Sequence, residues 1–336
     1  MKLYSNEIVF RGHPDKVCDQ ISDALLDAYM DKDQFSRCGI EVVGGKGVIF
    51  VTGEVTSRAT VDVKQIVRRV LSDVGYPIHY QVIDNIGIQS KDIALGTNEE
   101  VCGAGDNGMM FGYAINTTPQ MLPKAMVILQ QLSMWYDGLR QRDLRFLPDG
   151  KAQITGVYDN RFNLIGIKDF TICYQNTEEN REETDAIIGA KVKELCETDI
   201  DSILINPTGK FKVGGFIGDA GLTGRKIVVD NYQSFANVGG GAFSGKDPTK
   251  VDRSGAYKAR EIAKAFLQEL GLEWCEVQLS YAIGMPEPLA IYIDSNIGFI
   301  EVDHALYENC AVSNIINDLG LRTIKFEPLA RFGHFM

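Results

Sequence analysis

One arrangement recurs along this chain and limits the folds open to it. Gly47–Thr56 is rich in β-branched residues, as strands are, and a helical stretch follows with Val63, Ile66, Val67, Val70 and Leu71 on one face. The same order returns at Leu164–Ile172, before a polar helix carrying Ile187, Ile188, Val192 and Leu195. It returns again at Val277–Ile293, before a helix carrying Leu306, Val312, Ile315, Ile316 and Leu319. Units about 120 residues apart are too widely spaced for a short-period solenoid and predict three similar β-then-α modules. Strand-then-helix order also arises by chance in α+β chains, so coincidence stays open on pattern alone. The expected class is α+β, with sheets packed against helices on the outside. The expected divisions are 1–98, 99–210 and 211–336, with segments free to interleave.

Composition narrows the function. The 336 residues bear a formal net charge of −11, which argues against nucleic acid as main partner, because a phosphate backbone seeks a cationic face. A small anion is still compatible, since local Lys and Arg clusters can oppose the global sign. The seven cysteines include no C-x-x-C pair, as expected of thiols in a reducing cytoplasm. The first residues turn polar before any leader-like apolar stretch develops, and no apolar run approaches the ~20 residues that cross a bilayer. A cytoplasmic chain without a membrane partner is expected.

Four loops look chemical. Gly12-His13-Pro14-Asp15-Lys16 puts His, Asp and Lys just ahead of a helix. It is either a donor, metal ligand and cation set, or a plain helix start with Asp15 as cap and Lys16 in solvent. Gly103–Gly108 matches G-x-G-x-x-G, but no buried strand precedes it and Asp106 would repel a pyrophosphate, so it predicts a metal carboxylate instead of a dinucleotide turn. Gly214–Lys226 offers glycines for close backbone approach, Asp219 as acceptor, and Arg225-Lys226 for phosphate oxygens. Gly239–Ser254 nearly matches a P-loop, but Asp247 stands where the magnesium-binding hydroxyl belongs. It still places the cations Lys246, Lys250 and Arg253 beside Asp252. Together the loops supply His13, Lys16, Arg225, Lys226, Lys246 and Lys250 as cations, with Asp15, Asp106 and Asp252 as metal carboxylates, which suits a triphosphate carrying Mg²⁺. Solvated charge runs would give the same residues no such role.

These loops resemble the signatures of the methionine adenosyltransferase (S-adenosylmethionine synthetase) family: GHPDK with Asp19–Ala24, Gly103–Asp106 with Met110–Ala114, Gly218–Lys226, and Gly239–Ser254. The likeness runs from about residue 5 to residue 335 in family order. It implies three modules about a pseudo-threefold axis and a homodimer with active sites between subunits, in some members a dimer of dimers. It implies ATP and L-methionine as substrates, two Mg²⁺ and one K⁺ per site, and release of phosphate and diphosphate.

Residue by residue, the resemblance puts His13 near the phosphate leaving group. It gives Glu7, Asp15, Asp106 and Asp252 to the Mg²⁺ and phosphate site, and Glu41 to K⁺. Asp149, Lys151, Lys210 and Phe211 fall on its ATP positions, Phe211 stacking adenine. Glu54 and Gln89 fall on methionine positions, and Asp219 contacts both substrates. Arg225, Lys226, Lys246 and Lys250 hold phosphates, Lys250 also reaching methionine. His13, Lys151, Arg225, Lys246 and Lys250 are the expected catalytic set. The chain departs from the family pattern at Arg11, which stands where an acid precedes GHPDK, placing a cation near the metal site. Lys210 stands for Arg, and Phe216 stands for Pro in the nucleotide wall. The stretch from Gln89 to Gly103 is shorter than the family's gating loop.

Overall fold

The computed structural model describes residues 2–89 and 102–335. In chain order, the first unit is β1 (Lys2–Val9), α1 (Pro14–Met30), the hairpin β2 (Arg37–Gly45) and β3 (Val48–Thr56), α2 (Val63–Val74) and β4 (Gln81–Gly87). The second is β5 (Gly108–Ile115), α3 (Lys124–Arg140), the hairpin β6 (Phe146–Tyr158) and β7 (Leu164–Asn176), α4 (Arg181–Leu195) and β8 (Ile200–Ile205). The third is β9 (Gly221–Leu222), α5 (Val251–Glu269), the hairpin β10 (Trp274–Tyr281) and β11 (Ala290–Ser295), α6 (His304–Asn309) and α7 (Val312–Asp318). One plan is thus used three times: strand, long helix, hairpin, shorter helix. In the first two units a strand then returns parallel to the hairpin, β4 beside β3 and β8 beside β7.

The opening strand of each unit does not join its own hairpin. β1 pairs antiparallel with β6, β5 with β10, and β9 with β2. Each unit lends its first strand to the next, and the third lends to the first, so the sheets cross the divisions expected from sequence. This cyclic exchange produces the threefold character of the molecule. The sheets run β4-β3-β2-β9, β1-β6-β7-β8 and β11-β10-β5.

Local chemistry explains the elements. Helix α2 buries Val63, Val67, Val70, Leu71 and Val74, a single stripe at helical spacing. Asp62 caps it by accepting the Gln65 N–H at 3.0 Å, and Gly75 ends it at φ 91°. The third unit corrects one expectation. The stretch from Leu306 to Leu319 is broken at Cys310-Ala311 into α6 and α7, and the third sheet packs mainly on α5. That contact is close because Gly112 of β5 lies against the α5 backbone: a Cβ there would sit 2.0 Å from the Ala259 carbonyl carbon. One apolar core joins the first and third units, and a second fills the middle one, where Phe10 stacks on Tyr136 at 4.4 Å. Cys18, Cys38, Cys196, Cys275 and Cys310 are buried free thiols. No described helix is long and apolar enough to cross a membrane.

Candidate active site

The chain leaves β1 and enters α1 through His13, which is the N-cap; its Nδ1 accepts the Asp15 N–H at 3.2 Å. That contact puts the imidazole proton on Nε2. Burial, and then Lys226, pull the pKa of His13 down to about 4. At neutral pH it is therefore an uncharged donor, not the cation expected from sequence. Asp15 follows in the first turn. Its Oδ1 accepts the Leu222 N–H at 3.0 Å and its Oδ2 accepts from Lys226 Nζ at 2.5 Å, with Arg225 3.8 Å away. The loop ending at Lys226 is thereby folded down onto the start of α1.

Two openings flank this point. The smaller, of about 270 Å³, is lined by His13, Asp149, Lys151, Phe211 and Asp219. The larger, of about 830 Å³, is lined by Lys246, Lys250, Asp252 and Asp106 and by an acidic wall of Glu41 and Glu54. Strand register explains the acidic wall. Gly39 faces Glu54 and Glu41 faces Thr52 across the β2–β3 hairpin, so both glutamates project from one sheet face. Lys246 reaches this wall because its backbone bridges to Gly39, and its Nζ donates to Asp252 Oδ2 at 2.5 Å. In the smaller opening Asp149 accepts the Gly215 N–H at 2.7 Å, and burial raises its pKa to about 6.

Among the described residues, no three His, Cys, Asp or Glu side chains converge as a ready metal cage. The donor set still suits Mg²⁺, which is normally held by one or two carboxylates with phosphates and water completing its shell. Asp106 and Asp252 line one opening together, and Asp15 stands paired with a lysine that a bound anion could attract.

Several expected residues lie elsewhere. Glu7 is exposed on β1, its N–H donating to Gln233 Oε1 at 2.9 Å. Lys210 points outward, with Nζ 3.6 Å from Glu178. Gln89 is buried at the end of the first described stretch. Four expectations are corrected outright. Lys16 is neither in solvent nor in an opening: it is buried, 3.0 Å from Asp19 and in contact with Asp230. Burial alone would lower its pKa, but the two carboxylates overcome this and hold it raised. Arg253 is fully buried against Asp23 at 2.6 Å. Arg11 is also buried; its Nε donates to Gln20 at 2.9 Å and its guanidinium sits 3.3 Å from Asp137, away from both openings. Phe216 forms no nucleotide wall but packs in the core against Tyr80, ring centroids 5.8 Å apart. The shortened gating segment falls outside the described residues, apart from its ends. Sequence reasoning missed Thr52, Asn85 and Ser244, which line the larger opening. Only strand register would have pointed to the first two.

Three family models cover the chain in order. Residues 1–97 match the N-terminal domain of S-adenosylmethionine synthetase, 101–211 its central domain and 213–336 its C-terminal domain. Among curated proteins, the S-adenosylmethionine synthase of Trichormus variabilis is 39% identical over 376 aligned positions, covering 98% of this chain and 89% of its own. That of Clostridium tetani is 40% identical over 369, covering 99% and 94%. That of Petrotoga mobilis is 39% identical over 374, covering 99% and 93%. Each alignment is longer than the 336-residue chain, so these relatives carry segments with no counterpart here.

Proposed function

Because this chain belongs to the S-adenosylmethionine synthetase family, we propose that it joins ATP to L-methionine by direct attack of sulfur on C5′, and then hydrolyses the displaced tripolyphosphate. Methionine adenosyltransferase activity is what the names of its relatives support. In the first step the S–C5′ bond forms as the C5′–O bond breaks, leaving a sulfonium and a tripolyphosphate. A thioether has no proton to lose, so no general base is needed. The barrier lies in the charge gathering on the leaving group, and fixed donors aimed at that charge stabilise it more than anything else such a site can supply.

The residues divide that work. Lys246 and Lys250 in the larger opening, Lys151 in the smaller, and Arg225 and Lys226 beside Asp15 hold phosphate oxygens. His13, neutral, donates from Nε2 toward the leaving group. Phe211 offers a ring face to adenine and Asp219 an acceptor to nucleotide and methionine. Glu54 faces the methionine ammonium, with Lys250 completing that subsite. Asp15, Asp106 and Asp252 would hold two Mg²⁺, and Glu41 one K⁺; such ions supply charge neutralisation on phosphate oxygens. The observation that carries the reading is the larger cavity itself, whose lysines and carboxylates together suit a polyanion and an ammonium held side by side.

A homodimer with shared sites belongs to the same proposal. It is supported by the division of these residues between two openings in one chain. A dimer of dimers and residence in the cytoplasm are further parts of the reading. Incubation with ATP, methionine, Mg²⁺ and K⁺ tests the chemistry. S-adenosylmethionine with phosphate and diphosphate is expected; sulfonium without orthophosphate removes the hydrolytic step, and phosphate without sulfonium removes the synthetic one.

A further inference from the structure

Helix α1 carries an aspartate at every fourth position, and each carboxylate accepts a backbone N–H from a distant segment. Asp15 takes that of Leu222 at 3.0 Å and Asp19 that of Gly224 at 2.9 Å. Asp23 takes that of Gly245 at 2.8 Å, and Asp27 takes those of Phe326 at 2.9 Å and Glu327 at 3.0 Å. Positions four apart stack on one helix face, so the four side chains form a row. All are buried.

Such a row is costly. Like charges one turn apart repel, and each loses its hydration. The cations that offset it are themselves withdrawn from solvent. Lys16 lies between Asp19 and Asp230, and Arg253 binds Asp23 while its Nη1 donates to the Lys246 carbonyl at 3.0 Å. Two of the rungs grip the loops that carry phosphate-binding residues. Gly224 directly precedes Arg225-Lys226, and Gly245 directly precedes Lys246. The second loop is pressed hard onto β2: Gly245 has φ +81°, and a Cβ there would lie 2.0 Å from the Ile40 carbonyl oxygen.

We propose that Asp19 and Asp23 are positioning residues for adenosyl transfer, fixing both cationic loops to the helix that carries His13 and Asp15. This rests on the function proposed above. Both carboxylates are buried and line neither opening; each holds a backbone amide beside a cation, and a charged acceptor makes that bond stronger than a neutral one. Asp27 is the built-in comparison, with the same helix face and the same kind of bond but a grip on a C-terminal turn bearing none of the cations.

The test uses Asp19→Asn, Asp23→Asn and Asp27→Asn in the full chain, with steady-state kinetics and thermal melts. Asp19→Asn and Asp23→Asn should lower kcat on the order of 100-fold, the usual cost of misplacing a reacting group by an ångström, with a much smaller change in the KM for ATP. Asp27→Asn should melt at a different temperature yet keep the parental kcat. Parental kcat in folded Asp19→Asn and Asp23→Asn, or an equal loss in Asp27→Asn, overturns the proposal. If the first two do not fold, amide hydrogen exchange in the unmodified chain decides. The loop amides of Gly224 and Gly245 should exchange as slowly as central strand amides, and rapid exchange of both overturns it. An unmodified chain that forms no sulfonium defeats the functional reading instead, and the exchange result still tells whether the tethers exist.

Discussion

Lys246 carries the sharpest residue-level expectation, because its Nζ already stands at the larger cavity with one carboxylate partner. Removing one well-placed donor to a developing anion typically costs roughly 3–4 kcal/mol of barrier. Lys246→Ala should therefore lower turnover at least ~100-fold with ATP binding less affected, checked by kcat against nucleotide titration. Asp27 gives a pH expectation. Burial raises its pKa to about 6, against the Phe326 and Glu327 amides that lower it. The folded chain then holds this proton more tightly than the unfolded one, so the contribution to stability falls as pH rises from about 4 to about 6. The stability of the parent relative to Asp27→Asn should drop over that range by as much as ~3 kcal/mol, measured by denaturant melts at each end. Lys246, Lys250 and Asp106 were legible because polar side chains on glycine-rich loops have few structural duties. Lys16 and Arg253 were not, since nothing in a local run distinguishes a solvated cation from one locked against a distant aspartate.

At the scale of elements, the β5–α5 contact depends on the missing side chain of Gly112. Gly112→Ala would push against helix backbone, which cannot rotate aside. It should destabilise by about 1–3 kcal/mol or more, read as a lower denaturation midpoint. This contact also explains part of the Met110–Ala114 signature as packing and not chemistry. Helix α2 was readable from its apolar stripe, whereas α5 was hidden. It buries Arg253, Lys258 and Arg260, so charge and burial do not alternate as an amphipathic pattern requires. The G-x-G-x-x-G match also lacks the helix that a phosphate-binding fingerprint needs, because Gly108 opens a strand.

For the whole molecule, the proposed sharing of sites between two chains makes a mixing prediction. His13→Ala and Lys246→Ala subunits, each nearly inactive, should regain activity when unfolded together and reassembled. Each mixed dimer would then hold one undamaged site if the two residues come from opposite subunits. Activity no higher than the sum of the separate variants would place both residues on one chain. The triple strand–helix order could be read from hydrophobic period, but the exchange of β1, β5 and β9 could not, because pairing partners more than a hundred residues apart leave no local trace. That exchange bears on biosynthesis. As the chain leaves the ribosome, β1 must wait for β6, β2 for β9 and β5 for β10, so neither of the first two stretches matching a family domain can be finished when it emerges. Folding would come late and nearly all at once, and a nascent chain stalled midway would present unpaired strand edges to its neighbours.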